Sequence, residues 1–247
     1  MSKKIIRSLK KLAGTGYTDA SDEFLNWLLC SNPGMQHKGN IFCFEEAIRN
    51  LPANAPLLEL GAFAGLSANI MTYLLRKHER NNTVISVDPW IVRGWRDDEK
   101  NIPEEYFRFV GDNSSITREA FAAFIKASYI RNTAFFSAGN LPYAFEMTSD
   151  AFFASWEKRE QLTDVLQRKF TPEGEFGFIY IDGNHDEDFA RRDFENADRF
   201  LRPGGYLFFD DSEDGSPFGS ARVAKALEKD PRYELIAKNP NRLFRKK

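Results

Sequence analysis

The sequence predicts an α/β fold in which a mostly parallel β-sheet is covered by helices on both faces. Along most of the 247 residues, short and nearly continuous apolar runs alternate with segments whose apolar residues recur at helical spacing. Such runs are typical of strands that are buried on both faces of a sheet. The length lies at the upper end of what one core can bury, and there is no internal repeat or low-complexity linker. The chain is therefore predicted to form a single domain over 1–247.

Two helices, at about 21–30 and 41–51, precede the alternating part and form an N-terminal helical cap over 1–52. The core then spans 56–247 and closes with an antiparallel hairpin. Its predicted strands lie at 56–61, 83–88, 132–140, 177–182 and 205–211, and its helices at 66–78, 190–201 and 220–229. Two long connections, at about 89–131 and 142–175, exceed the minimal fold. They are expected to build a ligand pocket or a contact in a homo-oligomer, and extra covering helices are the alternative.

Composition limits the choice of partners. Lys and Arg number 34 against 36 Asp and Glu, a net charge of -2, so no nucleic-acid partner held mainly by charge is expected. No apolar run is long enough to span a membrane. Cys30 and Cys43 belong to no CxxC pair and are predicted to be reduced thiols of a cytoplasmic protein. The basic N-terminus lacks the apolar region of a signal peptide, and it is either frayed in solvent or a helix that touches acidic lipid.

Phenylalanine is unusually common, with 23 residues against 8 tyrosines and 4 tryptophans. Many of these rings fall in or near the two long connections. The sequence predicts that several of them line an apolar pocket wall, whereas rings in the sheet strands belong to the core. The rings in this group are Phe107, Phe109, Phe121, Phe124, Phe135, Phe136, Phe145, Phe152 and Phe153.

The predicted strands end in residues that suit a binding site. Four strands end at Gly61, at Asp88, at Asp182 and at the pair Asp210 and Asp211. In open α/β sheets, ligands bind beyond the carboxyl ends of the strands. Three of the four ends carry acids, so this edge of the sheet is the predicted site.

A glycine turn follows the first strand, in ELGAFAGLS at 59–67. Gly61 and Gly65 allow a sharp backbone turn and close approach of a ligand, and the next helix presents its N-terminus to an anionic group. The spacing is not the GxGxxG of dinucleotide-binding proteins. Asp88 then ends the second strand, where a carboxylate can accept both hydroxyls of a ribose, and a turn aspartate before Pro89 is the alternative.

From about 57 to the C-terminus, the sequence resembles the class I S-adenosylmethionine-dependent methyltransferases. ELGAFAG is similar to their first motif, SVDPW to their ribose-binding second strand, and the closing hairpin to their reversed seventh strand. IDGNH followed by LRPGGYLFFDD resembles the sugar O-methyltransferases of macrolide and aminocoumarin biosynthesis and, more distantly, catechol and caffeoyl-CoA O-methyltransferases. The resemblance implies a Rossmann-like, doubly wound, seven-stranded sheet with bound S-adenosylmethionine and, in many members, a divalent cation.

The resemblance also implies positions for the cofactor. The turn and the second strand are expected to hold the methionine and ribose parts, and Asn140 or nearby backbone is expected to contact the adenine ring. The expected cofactor-binding residues are Glu59, Gly61, Ala62, Phe63, Gly65, Ser67, Asp88, Pro89, Trp90, Asn140 and Asp182.

The acids at the later strand ends suit activation of an acceptor hydroxyl. Such a hydroxyl ionises weakly at neutral pH, and bound Mg²⁺ lowers its pKa and fixes its direction. Hard oxygen ligands suit this ion, so Asp182, Asp210 and Asp211, which occupy the ligand positions of the metal-dependent relatives, are the expected ligands. The alternative is that these acids cap helices or pair with Arg191 or Arg222.

His185 is the candidate general base and Asp182 the second catalytic candidate. His185 lies three residues after Asp182, where the catechol-type relatives place a basic lysine. An imidazole that titrates near neutrality is suited to take a proton from a hydroxyl. A metal ligand or a histidine at a helix start is the alternative.

These observations favour O-methylation of a hydroxyl on a small molecule, such as a sugar or polyketide, with use of Mg²⁺. An RNA or protein N-methyltransferase is the second hypothesis, because NLPY at 140–143 is the tetrapeptide with which rRNA adenine dimethylases hold a flipped base. A non-catalytic binding protein that keeps the cofactor fold is the third. An NAD-dependent oxidoreductase is disfavoured by the glycine spacing and the terminal hairpin.

Overall fold

The computed structural model describes residues 22–52, 54–91, 109–110 and 114–247. The basic N-terminal segment and most of the first half of the 89–131 connection, including Phe107, lie outside the described residues.

A seven-stranded sheet forms the centre of the molecule, in the spatial order β3-β2-β1-β6-β7-β9-β8. The first five strands in this order are parallel, and β9 pairs antiparallel with both β7 and β8. A separate two-stranded antiparallel ribbon is formed by β4 and β5. The strands are β1 (Leu57–Leu60), β2 (Val84–Val87), β3 (Tyr143–Phe145), β4 (Leu162–Thr163), β5 (Lys169–Phe170), β6 (Phe176–Ile181), β7 (Leu201–Phe209), β8 (Tyr233–Lys238) and β9 (Arg242–Lys246).

Helices cover both faces of this sheet, as the sequence predicts. The helices of the described chain are α1 (Glu23–Ser31), α2 (Asn40–Arg49), α3 (Leu66–Lys77), α4 (Arg118–Phe136), α5 (Ser149–Lys158), α6 (Glu187–Phe200) and α7 (Gly219–Leu227). One buried apolar cluster joins the sheet to α1, α2 and α3, and a second joins its other face to α5, α6 and α7. The doubly wound fold and the terminal antiparallel hairpin are therefore confirmed.

Asp22, the first described residue of the N-terminal cap, links the cap to the core. Asp22 caps α1 by accepting the backbone N–H of Leu25 at 3.0 Å. The other carboxylate oxygen of Asp22 accepts the Tyr73 hydroxyl at 2.6 Å and the Lys77 ammonium at 3.1 Å, both from α3. One aspartate thus starts the helix and fixes it against the core, as capping side chains near a helix dipole do.

The predicted strand at 132–140 is wrong. These residues form the end of α4 and a 3₁₀ turn at Ala138–Asn140, and the third strand lies at 143–145. In α4, Ile125, Tyr129 and Thr133 are buried at helical spacing, while Phe135 is exposed. Burial at period 3.6 decided the structure of this segment, although its aromatic residues favour a strand by propensity.

The 142–175 segment contains β3, the crossover helix α5 and the β4–β5 ribbon. Its aromatic rings do not line a pocket wall. Phe145, Phe152 and Phe153 are buried and pack with Trp156 and Phe176 in the second apolar cluster. The prediction of a pocket lining is therefore wrong for these three rings, because they fill the space between α5 and the sheet.

No helix in the described ranges is both long and apolar enough to cross a lipid bilayer.

Candidate active site

The residues that follow four parallel strands lie in one row at the carboxyl edge. The N–H of Gly61 donates to the carbonyl of Val87 at 2.9 Å, and the N–H of Asp182 donates to the carbonyl of Leu60 at 2.9 Å. The N–H of Asp210 continues the ladder to Ile181 at 3.0 Å. Strand pairing therefore brings the ends of β2, β1, β6 and β7 side by side, as the sequence predicts for parallel strands.

Gly61 joins the glycine turn to the acidic part of this row. Its φ is +91°, and a Cβ atom at this position would lie 1.9 Å from the carbonyl oxygen of Asp182. Gly65, with φ +88°, precedes the first residue of α3. The turn thus requires glycine for its backbone conformation, and at Gly61 also for the close approach of β6.

Asp88 holds the glycine turn from the end of β2. Its Oδ2 accepts the backbone N–H groups of Ala62 and Phe63, each at 2.9 Å, and its Oδ1 accepts the N–H of Trp90 at 2.6 Å. Burial raises the pKa of Asp88, and these three donors partly offset the rise. Because each carboxylate oxygen has two acceptor positions, one position on Oδ1 is left for a ligand.

Trp90 closes the same turn from the side. Its indole Nε1 donates to the carbonyl of Phe63 at 3.0 Å, and its ring contacts Tyr129 with centroids 5.5 Å apart. Phe63 and Trp90 both have positive φ, at 43° and 46°. Such conformations are strained for non-glycine residues and concentrate at functional sites.

Two asparagines that the sequence did not single out also hold the turn. The carbonyl of Ala64 accepts the side-chain amide of Asn32 at 3.1 Å and that of Asn132 at 2.9 Å. Asn32 follows α1 in the N-terminal cap, and Asn132 lies in α4. No local sequence pattern marks these residues, because each contact joins segments far apart in the chain.

Glu59 lies beneath the turn, and its side chain points into the protein. Its carboxyl group is fully buried and accepts the hydroxyls of Ser67 at 2.6 Å and Ser86 at 2.5 Å. Tyr129 donates in turn to Ser86 at 2.8 Å. Burial raises the pKa of Glu59 to about 8. Glu59 and Ser67 thus connect β1 to the first turn of α3 from inside the protein.

Asn140 lies at the opposite edge of the sheet. Its side-chain amide donates at 3.2 Å to the carbonyl of Asn82, which precedes β2. Residues 140–143 therefore enter β3 at its amino end, whereas the glycine turn lies at the carboxyl end. The adenine contact was expected from residues that follow the third strand. Asn140 instead precedes that strand, which begins at Tyr143. The same placement separates NLPY from the candidate active site.

Asp182 and Asp210 form a buried acidic pair. The two carboxyl groups hydrogen-bond to each other. Burial and the neighbouring carboxylates of Asp210 and Asp211 raise the pKa of Asp182 well above its usual range. Burial, followed by repulsion from Asp211, raises the pKa of Asp210 to about 6. Both shifts have the causes expected for carboxyl groups that are close together and removed from water.

Side chains from both ends of the chain reach this pair. Oδ1 of Asp210 accepts the amide N–H groups of Asn40 at 2.6 Å and Asn241 at 2.5 Å. The Tyr180 hydroxyl lies 3.1 Å from Oδ2 of Asp182 and accepts Nε2 of Gln36 at 3.0 Å. The sequence did not mark these four residues. Tyr180 lies in β6 itself, whereas Gln36, Asn40 and Asn241 reach the edge only through the docking of the cap and the hairpin.

His185 and Asp211 form a second pair beside the first. Nδ1 of His185 lies 3.3 Å from Oδ2 of Asp211, and the imidazole ring packs against Phe218 with centroids 4.9 Å apart. Burial lowers the pKa of His185, although the charge of Asp211 opposes the shift. A neutral imidazole that donates Nδ1–H to Asp211 keeps a lone pair on Nε2, which is the state that a general base requires.

The structural alternative named Arg191 and Arg222 as partners of these acids. Arg191 and Arg222 both pair with Glu187, at 2.6 Å and 2.5 Å. Within the described chain, His185 is the one ion-pair partner of Asp182, Asp210 and Asp211. The strand-end carboxyl groups therefore form an acidic cluster for which the described residues supply no lysine or arginine counter-ion.

The donor set of this cluster suits a hard divalent cation, since carboxylate oxygens are the ligands that Mg²⁺ prefers. In these side-chain positions, no group of three or more His, Cys, Asp or Glu among the described residues has the geometry of a metal site. Asp182 and Asp210 are together, whereas Asp211 directs one oxygen to His185.

The strand order, the reversed last strand, the glycine turn and the acid after β2 together define a class I methyltransferase fold. The sequence profile of a family described as "Methyltransferase domain" matches residues 58–212, which is more than half of the chain. The chain therefore belongs to this family. Family and fold make it a methyltransferase of the S-adenosylmethionine-dependent class, as the sequence predicted.

Solved structures agree with this fold. The calicheamicin methyltransferase CalS11 is 15% identical, with a TM-score of 0.54 over 99% of this chain and 93% of that one. An O-methyltransferase from Bacillus cereus in complex with SAH is 14% identical, with a TM-score of 0.52 over 96% and 94%. TomG from Streptomyces achromogenes, in complex with SAM, is 12% identical, with a TM-score of 0.51 over 99% and 97%. At these identities the likeness establishes the fold. Comparison with curated proteins found no matching sequence.

Proposed function

We propose that the protein transfers a methyl group from S-adenosylmethionine to a hydroxyl oxygen of a small molecule. The observation that carries this proposal is the pair of His185 and Asp211 at the same edge as the glycine turn. Gly61 packs directly against the backbone of Asp182, so a methyl donor in the turn and an acceptor at the acids would be neighbours. Close placement of the two reactants is the main requirement of a direct transfer.

The glycine turn is the proposed binding place for the methyl donor. When bound, S-adenosylmethionine supplies a methyl group on a positively charged sulfur. Gly61 and Gly65 give the turn its shape, and the free acceptor position on Asp88 is the proposed contact of the ribose. The helix α3 begins directly after Gly65 and points its free N–H groups toward the same edge. Ala62, Phe63, Pro89 and Trp90 remain the proposed lining residues of this region.

His185 is the proposed general base. Nε2 would take the proton of the acceptor hydroxyl as its oxygen becomes the nucleophile, and Asp211 would hold the ring through Nδ1 and stabilise the imidazolium. The lowered pKa of His185 keeps the ring neutral at physiological pH. Activity is therefore expected to fall at acidic pH, once the imidazole is protonated.

The proposal includes a divalent cation, Mg²⁺, held by Asp182, Asp210 and Asp211. A bound cation would lower the pKa of the acceptor hydroxyl. The support is the cluster of carboxylates without a Lys or Arg counter-ion in the described chain. Asp211 directs only Oδ2 to His185, which leaves Oδ1 for another partner.

The acceptor class is proposed from the relatives that share the fold. One structure of CalS11 is described as a TDP-rhamnose 3'-O-methyltransferase, and TomG is described as an O-methyltransferase of tomaymycin synthesis. We therefore propose sugar nucleotides and hydroxylated natural-product precursors as the first panel of acceptors.

Substitution of the proposed base tests this function. With the best acceptor of that panel and labelled S-adenosylmethionine, His185→Gln is expected to lower kcat about 10²- to 10⁴-fold, the usual contribution of a general base. S-adenosylhomocysteine affinity should stay within about twofold in calorimetric titration, because His185 lies outside the glycine turn.

His78→Gln is the matched control. His78 follows the last turn of α3 and pairs with Glu45 at 3.1 Å, far from the carboxyl edge, so its kcat should equal that of the wild type. Wild-type turnover in His185→Gln would remove His185 from its proposed role. Absence of methylation across the whole panel, with S-adenosylhomocysteine still bound, would count against a small hydroxylated acceptor.

A further inference from the structure

His185 is held at its backbone by the first turn of α7. It lies in the short loop between β6 and α6, and its carbonyl oxygen accepts the backbone N–H groups of Gly219 at 2.8 Å and Ser220 at 3.2 Å. The first N–H groups of a helix have no partner within that helix. His185 supplies an acceptor for two of them, so its backbone position is fixed by α7.

Gly219 allows α7 to come this close. A Cβ atom on Gly219 would lie 2.1 Å from the backbone nitrogen of Glu187 and 2.4 Å from its Cα, so a side chain at this position would push the two segments apart. Arg222, in the same turn of α7, donates to the carboxylate of Glu187 at 2.5 Å. The loop that carries His185 and the start of α7 therefore form one packed unit.

The imidazole ring of His185 is held from two sides. Oδ2 of Asp211 lies 3.3 Å from Nδ1, and the ring of Phe218 packs against the imidazole with centroids 4.9 Å apart and an angle of 42° between the rings. A hydrogen bond at one nitrogen alone leaves the imidazole able to turn about that bond, and a ring packed beside it blocks this rotation. Phe218 is itself fixed, because it is the N-cap residue of α7 and its N–H donates to the hydroxyl of Ser216 at 3.3 Å.

We propose that Phe218 and Gly219 are positioning residues that hold the imidazole of His185 with Nε2 toward the acceptor hydroxyl. This inference rests on the proposed role of His185 as general base and deepens it. A base must lie within hydrogen-bond reach of the proton that it takes, and a misplacement of about 1 Å can cost about 100-fold in rate. Phe218 and Gly219 act through His185 and need no contact with either reactant.

Turnover of Phe218 variants is the first test. Phe218→Ala is expected to lower kcat about 10- to 100-fold, because the imidazole then spends most of its time in unproductive orientations. KM for both substrates should stay within about twofold, since the glycine turn and the acids are unchanged. Phe218→Tyr keeps the ring and is expected to restore kcat to within about twofold of the wild type. Gly219→Ala should lower kcat at least as much as Phe218→Ala, and Phe218→Ala decides the test if the glycine variant fails to fold.

The tautomer of His185 is a second readout, and it needs no turnover. The hydrogen bond to Asp211 places the proton on Nδ1 and leaves Nε2 without one. ¹⁵N NMR of the neutral ring should therefore show one tautomer in the wild type and a mixture of the two in Phe218→Ala. The chain has three histidines, so the signal that is lost in His185→Gln identifies the resonance.

Phe189→Ala is the matched control. Phe189 lies in the first turn of α6, close to His185 in the chain, and its exposed ring packs against Arg192 with the guanidinium 4.4 Å from the ring centroid. This variant also removes an aromatic ring beside the same loop, but a ring that does not pack on the imidazole. Its kcat and its His185 tautomer should equal those of the wild type.

The outcomes separate this inference from the proposed function. Wild-type kcat in Phe218→Ala overturns the positioning role and leaves His185 standing as the base. A lower kcat with the wild-type tautomer also overturns it, and points to direct contact between Phe218 and the acceptor. Wild-type turnover in His185→Gln overturns the base, and the positioning role falls with it. If no acceptor is methylated, the proposed function fails, and the tautomer comparison alone supports or overturns Phe218 as the residue that holds the ring.

Discussion

The two halves of the carboxyl edge are held in place by different kinds of group. In the cofactor half, defined as the 61–65 turn with Asp88, a single carboxylate collects backbone N–H donors at 2.9, 2.9 and 2.6 Å. In the acceptor half, defined as Asp182, His185, Asp210 and Asp211, the carboxylates are held by side chains from distant segments. The separations of Asp210 from Asn40 and Asn241 are 170 and 31 residues.

This difference follows from what each half has to do. The half proposed for the cofactor is defined by a backbone shape, and shape can be specified by glycines and one acid within about 30 residues. The acceptor half keeps several like charges together, which raises the pKa values of Asp182 and Asp210. Such a cluster costs folding free energy, and buried donors from the cap and hairpin reduce that cost.

The largest expected effect comes from breaking the contact between the halves. Gly61→Ala places a methyl group 1.9 Å from the backbone of Asp182 and strains a φ of +91°. Left-handed strain costs about 1–2 kcal/mol and overpacking about 1–3 kcal/mol, so we expect a loss of about 2–5 kcal/mol in the free energy of unfolding. Urea unfolding followed by circular dichroism measures this loss.

Gly174→Ala is the control for the strain alone. Gly174 has a φ of +74°, and no atom lies within 4 Å of the position of an added Cβ. Its expected loss is therefore only the about 1–2 kcal/mol of the backbone. Equal losses in the two variants would show that the contact between the halves is unimportant for stability.

A smaller effect is expected from the buried acid below the cofactor half. Burial raises the pKa of Glu59 from 4.5 to about 8, so the folded protein holds a proton that the unfolded chain releases above pH 4.5. Stability contributed by this proton is therefore complete below pH 4.5 and is lost as the pH rises to about 8. Glu59→Gln keeps a neutral side chain that bonds Ser67 and Ser86 without a proton to lose.

We expect the stability of Glu59→Gln relative to the wild type to increase by about 3 kcal/mol between pH 5 and pH 8. Urea unfolding across this range measures the change, and Glu234→Gln, at an exposed position of β8, should follow the wild type. The slope that remains in Glu59→Gln reports the other buried acids with raised pKa values, among them Asp88, Asp182 and Asp210. A slope identical to that of the wild type would contradict proton uptake at Glu59.

The smallest expected effect is a loss of S-adenosylhomocysteine affinity on substitution of Asp88, and it tests whether the two halves bind their ligands independently. Asp88→Asn removes one carboxylate oxygen from the three N–H donors, so one donor of the turn or of Trp90 loses its acceptor. We expect S-adenosylhomocysteine affinity to fall about tenfold, or about 1.4 kcal/mol, by calorimetric titration. Asp230→Asn, at an exposed turn paired with Arg232, is the control. A parallel loss of Mg²⁺ affinity in Asp88→Asn would show that the halves are not independent.

Local sequence patterns predicted much of the fold. Periodicity and turn residues placed β1, β2, β6 and both cap helices within about two residues of their observed bounds, because burial on one or two faces leaves a repeat in the sequence. The prediction failed at 132–140, where aromatic and β-branched residues favour a strand. There the long helix α4 packs one face on the turn, and that packing overrode the propensity.

In the candidate active site, too, local sequence patterns predicted some features, while others depended on tertiary packing. Gly61 and Asp88 were predicted because a backbone turn and a strand end leave marks in neighbouring residues. The inward direction of Glu59 was missed, since it depends on Ser86 in the adjacent strand. Asn140 was misplaced with the strand that was expected to precede it.

The sequence by itself determined the order of strands and helices, the glycine turn, and the acids and histidine that follow the strands. Only the tertiary structure decided which atoms of these acids are free and which are occupied. Asn40 and Asn241 contact Asp210 because the cap and the hairpin dock at the same edge. Periodicity and turn chemistry act over a few residues and can be seen in the sequence, whereas side-chain hydrogen bonds across 170 residues arise only once the core has packed.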